Sequence, residues 1–174
     1  MRQRAAMEMR IVEHLSDEER QILFSWGDDL FGVAAYGLSW RAKDWHALRL
    51  ENGHLVAKAS ILKHRLFVNQ EGLWVGGVGG VITIPTAQKR GHATAIMAYT
   101  ADHIRDHLRV PFGLLFCREP LLQFYARLGW HLINHAVIIR QPGGEKISPL
   151  PVMVLSCSAA SWPKGTVRLD SEPW

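Results

Sequence analysis

Residues 81–94 have the residue types and spacing best suited to chemistry in this chain. They read VITIPTAQKRGHAT. The apolar, β-branched start predicts a buried strand, which Pro85 ends because proline has no N–H for a sheet ladder. A basic turn containing Gly91 then leads into apolar residues at helical spacing over residues 94–108. Such a turn gathers free N–H groups at the positive end of a helix dipole, so it predicts a binding site for a phosphate group.

The turn matches neither of the two common phosphate loops and reads Q-x-x-G-x-A from Gln88 to Ala93. This pattern resembles the pyrophosphate loop of the GNAT superfamily of N-acyltransferases. In that family the loop binds the pyrophosphate of coenzyme A, and the preceding strand pairs with the pantetheine arm. The resemblance implies acetyl-CoA as co-substrate, bound by Val81, Ile82, Thr83, Ile84, Gln88, Lys89, Arg90, Gly91, His92, Ala93 and Thr94.

A second motif, FYARLGW over residues 124–130, resembles the family's helix ending in a tyrosine and a glycine stop. In the family this tyrosine protonates the leaving thiolate of coenzyme A. Negative charge moves to sulfur when an amine attacks a thioester, and a nearby phenol can neutralise it. The resemblance therefore implies Tyr125 as the general acid, whereas a lone helix tyrosine would more often pack in the core.

The sequence does not single out one residue as the general base that takes a proton from the amine. The strand over residues 73–84, where family members often place a glutamate, has no carboxylate. Candidates elsewhere are His46, His54, Glu71, Asp28 and Asp29, and a water chain is a further alternative. A backbone N–H of Val81 or Ile82 could bind the oxyanion where the strand bulges. We expect no metal, since His103 and His107 lack the H-E-x-x-H pattern.

The remaining elements predict one α+β domain over residues 7–158. We expect a mixed central sheet of about seven strands, flanked by helices on both faces. Ser16 and Glu19 form a capping signature for a helix that we expect to reach Asp29. Asn52-Gly53 predicts a hairpin, and residues 131–140 predict a single strand. Residues 159–174 form a tail that we expect to line the acceptor site.

Composition sets broad limits on function. The chain has 174 residues, 48% hydrophobic and 21% charged, with two cysteines and a net charge of +4. No apolar run is long enough for a membrane span, no secretory signal is visible, and the basic residues are spread out. We therefore expect a cytoplasmic protein with a small-molecule amine as partner, no nucleic acid or membrane partner, and a possible homodimer.

Two branches of the superfamily resemble this sequence more than the superfamily as a whole does. His46-Ala47-Leu48 and Ala57-Lys58-Ala59 resemble a hairpin of the aminoglycoside 2′-N-acetyltransferases, and residues 110–113 and 162–166 resemble segments of the nodulation N-acyltransferases. Both branches acylate an amine on a sugar.

The acidic end of the chain suits such an acceptor. Asp170 and Glu172 lie close to Trp174, whose ring could stack on a sugar. We expect Asp28, Asp29 and Trp174 to bind the acceptor. The resemblance implies an enzyme that transfers an acetyl or other acyl group from coenzyme A to a primary amine, here on an amino sugar. The alternatives to this function are a coenzyme A-binding regulatory module without catalysis and a peptide N-acetyltransferase.

Overall fold

The computed structural model describes residues 5–174. Its strands are β1 Met7–Val12, β2 Trp45–Glu51, β3 His54–Val68, β4 Glu71–Thr83, β5 Phe112–Phe116, β6 His131–Leu132, β7 Val137–Gln141, β8 Gly144–Ile147, β9 Val152–Ser156 and β10 Val167–Arg168. Its α-helices are α1 Asp17–Phe24, α2 His92–His103 and α3 Leu122–Arg127. None of the helices in residues 5–174 combines the length and the apolar character that crossing a bilayer requires.

All ten strands join one mixed sheet in the order β6-β9-β5-β4-β3-β10-β7-β8, with β1 and β2 on a branch from β3. The pairs β4–β5 and β7–β10 are parallel, and the others are antiparallel. The sheet has more strands than the expected seven. Residues 131–140 form two strands, β6 and β7, because each half pairs with a different neighbour. The other additions are β8 and β10, which are short and have no clear apolar alternation.

Helices cover both faces of the sheet, as the sequence predicts. Ala47 on β2 packs in a cluster with Ile96 and Met97 of α2. The adjacent Leu48 packs instead with Leu23 of α1. Neighbouring residues of a strand point to opposite faces, so α1 and α2 lie on opposite sides of the sheet. The α+β class is confirmed.

The start of α1 follows its predicted capping box, but its end differs. Ser16 accepts a hydrogen bond from the Glu19 N–H at 3.1 Å, and the Glu19 carboxylate accepts one from the Ser16 N–H at 2.8 Å. The helix ends at Phe24 instead of continuing to Asp29. Trp26 therefore lies in the following loop, where it is 38% exposed, instead of on the helix.

A bulge in β4 opens the sheet. Lys58 pairs with Ile82 and Ser60 with Gly79, so Gly80 and Val81 together oppose the single residue between them, Ala59. Gly80 has a φ of 56°, the left-handed conformation that glycine adopts at this kind of bulge. A bulge bends its strand. Beyond Val78, which pairs with Leu115, β4 and β5 have no further paired residues.

Trp174 lies at this opening, in the core. Its side chain is 2% exposed, and its indole N–H donates to the Leu114 carbonyl at 3.2 Å. A Cβ at Gly77 would overlap the indole, so only glycine leaves room for the ring there. The Pro173 carbonyl accepts a hydrogen bond from the Arg41 N–H at 2.9 Å. The last residues are thus packed between the sheet and the loop before β2.

We expect Trp174→Ala to lower the free energy of unfolding by about 3–5 kcal/mol, because it leaves a cavity in the core. Denaturant unfolding of the variant and the parent measures this difference. Trp74, 47% exposed on the same sheet, provides the control, and Trp74→Ala should cost about 1 kcal/mol or less. Equal losses in the two variants would contradict the packing described for Trp174.

Candidate active site

A cavity, which we name the main cavity because it lies along the open edge of β4, occupies the space where β4 and β5 separate. It has a volume of about 500 Å³ and runs from Trp174 to Gln88 along residues 78–83 of β4. The end of β5 and α3 line its other side. Its aromatic lining consists of Trp26, Phe31, Trp40, Phe116, Tyr125 and Trp174. The cavity therefore offers a largely apolar channel with a strand edge along one wall.

The open edge of β4 presents backbone groups to this cavity. The Ile84 N–H donates to the Val56 carbonyl of β3, so the Ile84 backbone faces β3. Backbone groups alternate along a strand, which directs those of Thr83 away from β3, toward the open side. The Gln88 side chain confirms this direction, since it donates to the Thr83 carbonyl at 3.1 Å. An extended ligand could pair with this edge.

The loop between β4 and α2 gathers backbone N–H groups at one end of the cavity. Lys89 and Gly91 both have positive φ, 61° and 81°, and Gly91 is the N-cap of α2. Among residues 5–174, no hydrogen bond uses the N–H groups of Lys89, Arg90 or Gly91. The first N–H groups of α2 also lack intrahelical partners, as at every helix start. Alternating backbone conformations of this kind form concave sites for anions.

Charged side chains brace this loop. Arg90 forms an ion pair with Glu51 at 2.6 Å, so the charge of Arg90 is partly neutralised. His92 is buried, and its Nδ1 accepts a hydrogen bond from Arg49 at 3.0 Å. Burial, with Arg49 beside it, lowers the pKa of His92, so the imidazole is neutral. Lys89 has no ion pair within the described part of the chain.

Tyr125 lies in α3 on the β5 side of the cavity. Its ring packs against Phe124 at 5.0 Å and Trp130 at 6.5 Å between centroids. Burial, with a smaller contribution from Cys117, raises the pKa of its phenol, so the hydroxyl stays protonated. Gly129, with a φ of 92°, ends the helix and turns the chain toward Trp130. The site thus holds a protonated phenol in an apolar wall.

A second cavity of about 790 Å³ adjoins the main one. The two share Phe31, Lys43 and Gly80 in their linings. Lys58 lies beside the second cavity, 3% exposed, and its Nζ donates to the Ser60 hydroxyl at 2.7 Å. The second cavity therefore meets the main cavity at the bulge of β4.

Lys58 and His46, which both contact the Ser60 hydroxyl, have lowered pKa values. Burial, with Lys43 and Arg20 nearby, lowers the pKa of Lys58 to about 7. The Ser60 hydroxyl is 2.8 Å from Nδ1 of His46. Burial, followed by the charges of Lys58, Arg20 and Lys43, lowers the pKa of His46 to about 4. His46 is therefore neutral at pH 7.

The expected acceptor-binding residues lie in different places. Trp174 lines the main cavity with its ring packed in the core, so it does not offer a free stacking face. Asp28 and Asp29 line a neighbouring depression, and Asp29 accepts hydrogen bonds from the N–H groups of Val33 and Ala34 at 2.9 and 3.2 Å. Asp170 lies 3.9 Å from Arg140 and lines another depression. The acidic residues are therefore not gathered at the main cavity.

The candidate bases are also dispersed. His46 lines the second cavity, while His54 is exposed at the hairpin turn and Glu71 begins β4 at the end far from the bulge. Sequence reasoning missed Lys58, Lys43 and Arg118, which lie in or next to the main cavity. The sequence has one signal for Lys58, since its position inside the apolar run of residues 55–62 indicates a buried side chain.

Comparison with known proteins gives a consistent result. The family described as acetyltransferase (GNAT) domain matches residues 39–133. The GNAT family N-acetyltransferase YhbS of Escherichia coli, solved in complex with CoA, has a TM-score of 0.63 at 15% identity, over 98% of this chain and 93% of that chain. ElaA of Escherichia coli has a TM-score of 0.58 at 18% identity, over 87% of this chain and 100% of its own.

A GNAT family acetyltransferase from Brucella melitensis, solved in complex with acetyl-CoA, has a TM-score of 0.55 at 12% identity, over 92% of this chain and 94% of that chain. No curated protein matches the sequence. At these identities the solved structures show a shared fold, and the family match covers more than half of the chain. The chain belongs to the GNAT acetyltransferase family.

Proposed function

We propose that the protein transfers an acetyl group from acetyl-CoA to a primary amine. The observation that carries this proposal is the main cavity, which joins the open edge of β4, the protonated phenol of Tyr125 and the N–H groups of the loop at Gln88. Structural relatives from Escherichia coli and Brucella melitensis were solved with CoA and acetyl-CoA. The family and the geometry support the same assignment.

Acetyl-CoA would occupy the whole length of the main cavity. Its pyrophosphate would accept hydrogen bonds from the N–H groups of residues 89–94 at the N-terminus of α2, where the helix dipole favours negative charge. Its pantetheine arm would pair with the open edge of β4, including Val81 and Thr83. The thioester would then lie between the bulge at Gly80 and the phenol of Tyr125.

The chemistry follows from this placement. The N–H of Val81, on the open side of the bulge, would bind the oxygen that becomes negative when the amine attacks, because Ile82 pairs with Lys58 of β3. Tyr125 would donate its proton to the departing thiolate. Its raised pKa keeps the proton on the phenol until negative charge develops on sulfur. The thiol of the neighbouring Cys117 is also protonated, because burial raises its pKa to about 11.

The charges that line the main cavity indicate which class of amine acceptor it would bind. Its charged side chains among the described residues are Lys43 and Arg118, and no Asp or Glu contributes to the lining. The adjoining second cavity contributes Glu13 and Asp44 but also Arg20, Lys43 and Lys58, so basic side chains outnumber acidic ones there too. This charge disfavours a polycationic amino sugar, the acceptor suggested by two branches of the family. We therefore place amines with one ammonium group and an apolar body ahead of amino sugars.

A thiol-release screen tests the proposed function. Purified protein is titrated with acetyl-CoA by calorimetry, then incubated with acetyl-CoA and amines from four classes: aromatic monoamines, amino acids, aminoglycosides and short peptides. We expect saturable acetyl-CoA binding and thiol release that depends on an amine.

Each outcome of the screen has a distinct meaning. Turnover of monoamines supports the proposal as stated, and turnover of aminoglycosides alone would overturn the order of acceptors. Turnover of peptides alone would identify a peptide acetyltransferase. Binding of acetyl-CoA without release by any amine would favour a regulatory module, for which the lack of a carboxylate in residues 73–84 is the motivating observation.

A further inference from the structure

The bulge of β4 leaves a space that a side chain from β3 fills. A Cβ added to Gly80 would lie 2.8 Å from Nζ of Lys58 and 3.5 Å from the Ser60 hydroxyl. The amine of Lys58 therefore occupies the position beside the bulge that a side chain on β4 would otherwise take. β4 itself has no carboxylate in this region, since its one acidic residue, Glu71, begins the strand at the other end.

The amine of Lys58 is held from several sides. Nζ lies 5.4 Å from the centroid of the Phe24 ring on α1 and donates to Ser60 at 2.7 Å. Ser60 lies 2.8 Å from Nδ1 of His46. The neutral imidazole accepts a hydrogen bond from the Ser60 hydroxyl at Nδ1 when its own proton is on Nε2. In this arrangement His46 fixes the Ser60 hydroxyl, and Ser60 in turn fixes one N–H of Lys58. The lone pair of a neutral Lys58 amine is then not used within the network.

We propose that Lys58 is the proton acceptor for the amine substrate, and that Ser60 and His46 are positioning residues that orient its amine beside the bulge. This assignment rests on the proposed acetyl transfer. It also assigns the second cavity as the approach for the acceptor, because that cavity contains the Lys58 network and meets the main cavity at Gly80, Lys43 and Phe31.

The proton and bond changes balance. Neutral Lys58 takes one proton from the acceptor's ammonium group, and the freed lone pair attacks the thioester carbonyl carbon. A C–N bond forms, the C–S bond breaks, and the thiolate takes the proton of Tyr125. The second proton of the acceptor nitrogen restores the phenol, and Lys58 releases its proton to solvent in the second cavity. Each turnover yields an amide, a free thiol and one proton.

The environment of Lys58 supports this role. A base must be neutral when the acceptor arrives, and the pKa of Lys58, about 7, leaves a large neutral fraction near pH 7. A lysine in water would be almost fully charged at that pH. The charged and titratable groups around it are Arg20 on α1, His46 on β2, Lys43 and Asp44 before β2, and Glu13 and His14 after β1.

The test compares Lys58→Met with Lys63→Met, a control that removes an exposed lysine from the same strand. Each variant is assayed with the amine that wild-type protein acetylates fastest in the thiol-release screen. At pH 7 we expect Lys58→Met to lose kcat by about 10²–10⁴-fold, the usual contribution of a general base. Acetyl-CoA affinity should be unchanged in both variants, and Lys63→Met should retain its kcat.

The pH profile separates a base from a residue that only supports the fold. Only the neutral form of Lys58 accepts a proton, so wild-type kcat should rise with pH and level off above about pH 7. Lys58→Met can use only acceptor that is already neutral, so its kcat should keep rising, by about tenfold per pH unit, beyond that point. The kcat of Ser60→Ala should still level off as the pH rises, but at a different pH and at a lower value than in the wild type.

A direct titration keeps the proposal testable if a variant does not fold. Wild-type protein with isotopically labelled lysine is titrated by NMR, and one lysine signal should shift near pH 7. A plateau near pH 7 that persists in Lys58→Met, normal kcat in that variant, or lysine signals that all shift near pH 10 would each overturn the proposal. Failure of the proposed function differs, since wild-type protein would then acetylate no amine.

Discussion

Replacing Gly91 by glutamate should abolish acetyl-CoA binding while leaving the protein folded. Gly91 caps α2 with a φ of 81°, and no atom lies within 4 Å of a Cβ placed there. The new carboxylate would stand among the free N–H groups of the loop and repel the pyrophosphate. Losing two charge-assisted hydrogen bonds costs about 3 kcal/mol, so calorimetry should show Kd rising by at least roughly 100-fold.

Two controls separate charge from backbone strain. Gly91→Asn keeps a residue that tolerates positive φ and adds no charge, so its Kd for acetyl-CoA should change far less. Lys89→Ala removes one exposed charge and should weaken binding only slightly. Undiminished affinity in Gly91→Glu would refute the assignment of this loop to the pyrophosphate.

Replacing Tyr125 by phenylalanine should lower kcat by about 10²–10⁴-fold, the range for loss of a general acid. The KM for acetyl-CoA should change little, because the ring and its packing against Phe124 and Trp130 remain. No hydrogen bond among residues 5–174 uses the Tyr125 hydroxyl, so its removal leaves no partner unsatisfied. Steady-state kinetics with varied acetyl-CoA measures both quantities.

Tyr99 provides the matched control, since this partly buried tyrosine of α2 packs in the same cluster but does not line the main cavity. Tyr99→Phe should have a normal kcat. If Tyr125→Phe were also nearly normal, Tyr125 would be a packing residue and the thiolate would leave without its proton.

The features of the fold and site that the sequence predicted are those whose residues lie close together in the chain. Gln88, Gly91 and Tyr125 belong to short motifs, and the structure places each at the predicted turn or helix. The hairpin at Asn52-Gly53 and the capping box at Ser16 likewise depend on neighbouring residues. Local patterns of this kind can be recognised before any tertiary contact is known.

The parts that the sequence did not predict depend on strand register. His46, Ser60 and Lys58 form one network because β2 pairs with β3 at Ser60, while β3 pairs with β4 across the bulge. The four glycines at positions 76, 77, 79 and 80 indicate a bulge but do not place it at Gly80. The packing of Trp174 on Gly77 has no local sequence pattern. The short strand Val167–Arg168 forms only because β3 and β7 lie on either side of it.

Transfer of the acetyl group from acetyl-CoA to an amine in the main cavity can be measured directly. The most direct measurement incubates the protein with isotopically labelled acetyl-CoA and the amine panel, then quantifies acetylated amine by mass spectrometry and free thiol by colorimetry. We expect labelled amide and thiol in equal amounts, with both nearly lost in Tyr125→Phe. Tight binding of acetyl-CoA without any labelled amide, or thiol release without amide, would contradict the proposed acetyl transfer.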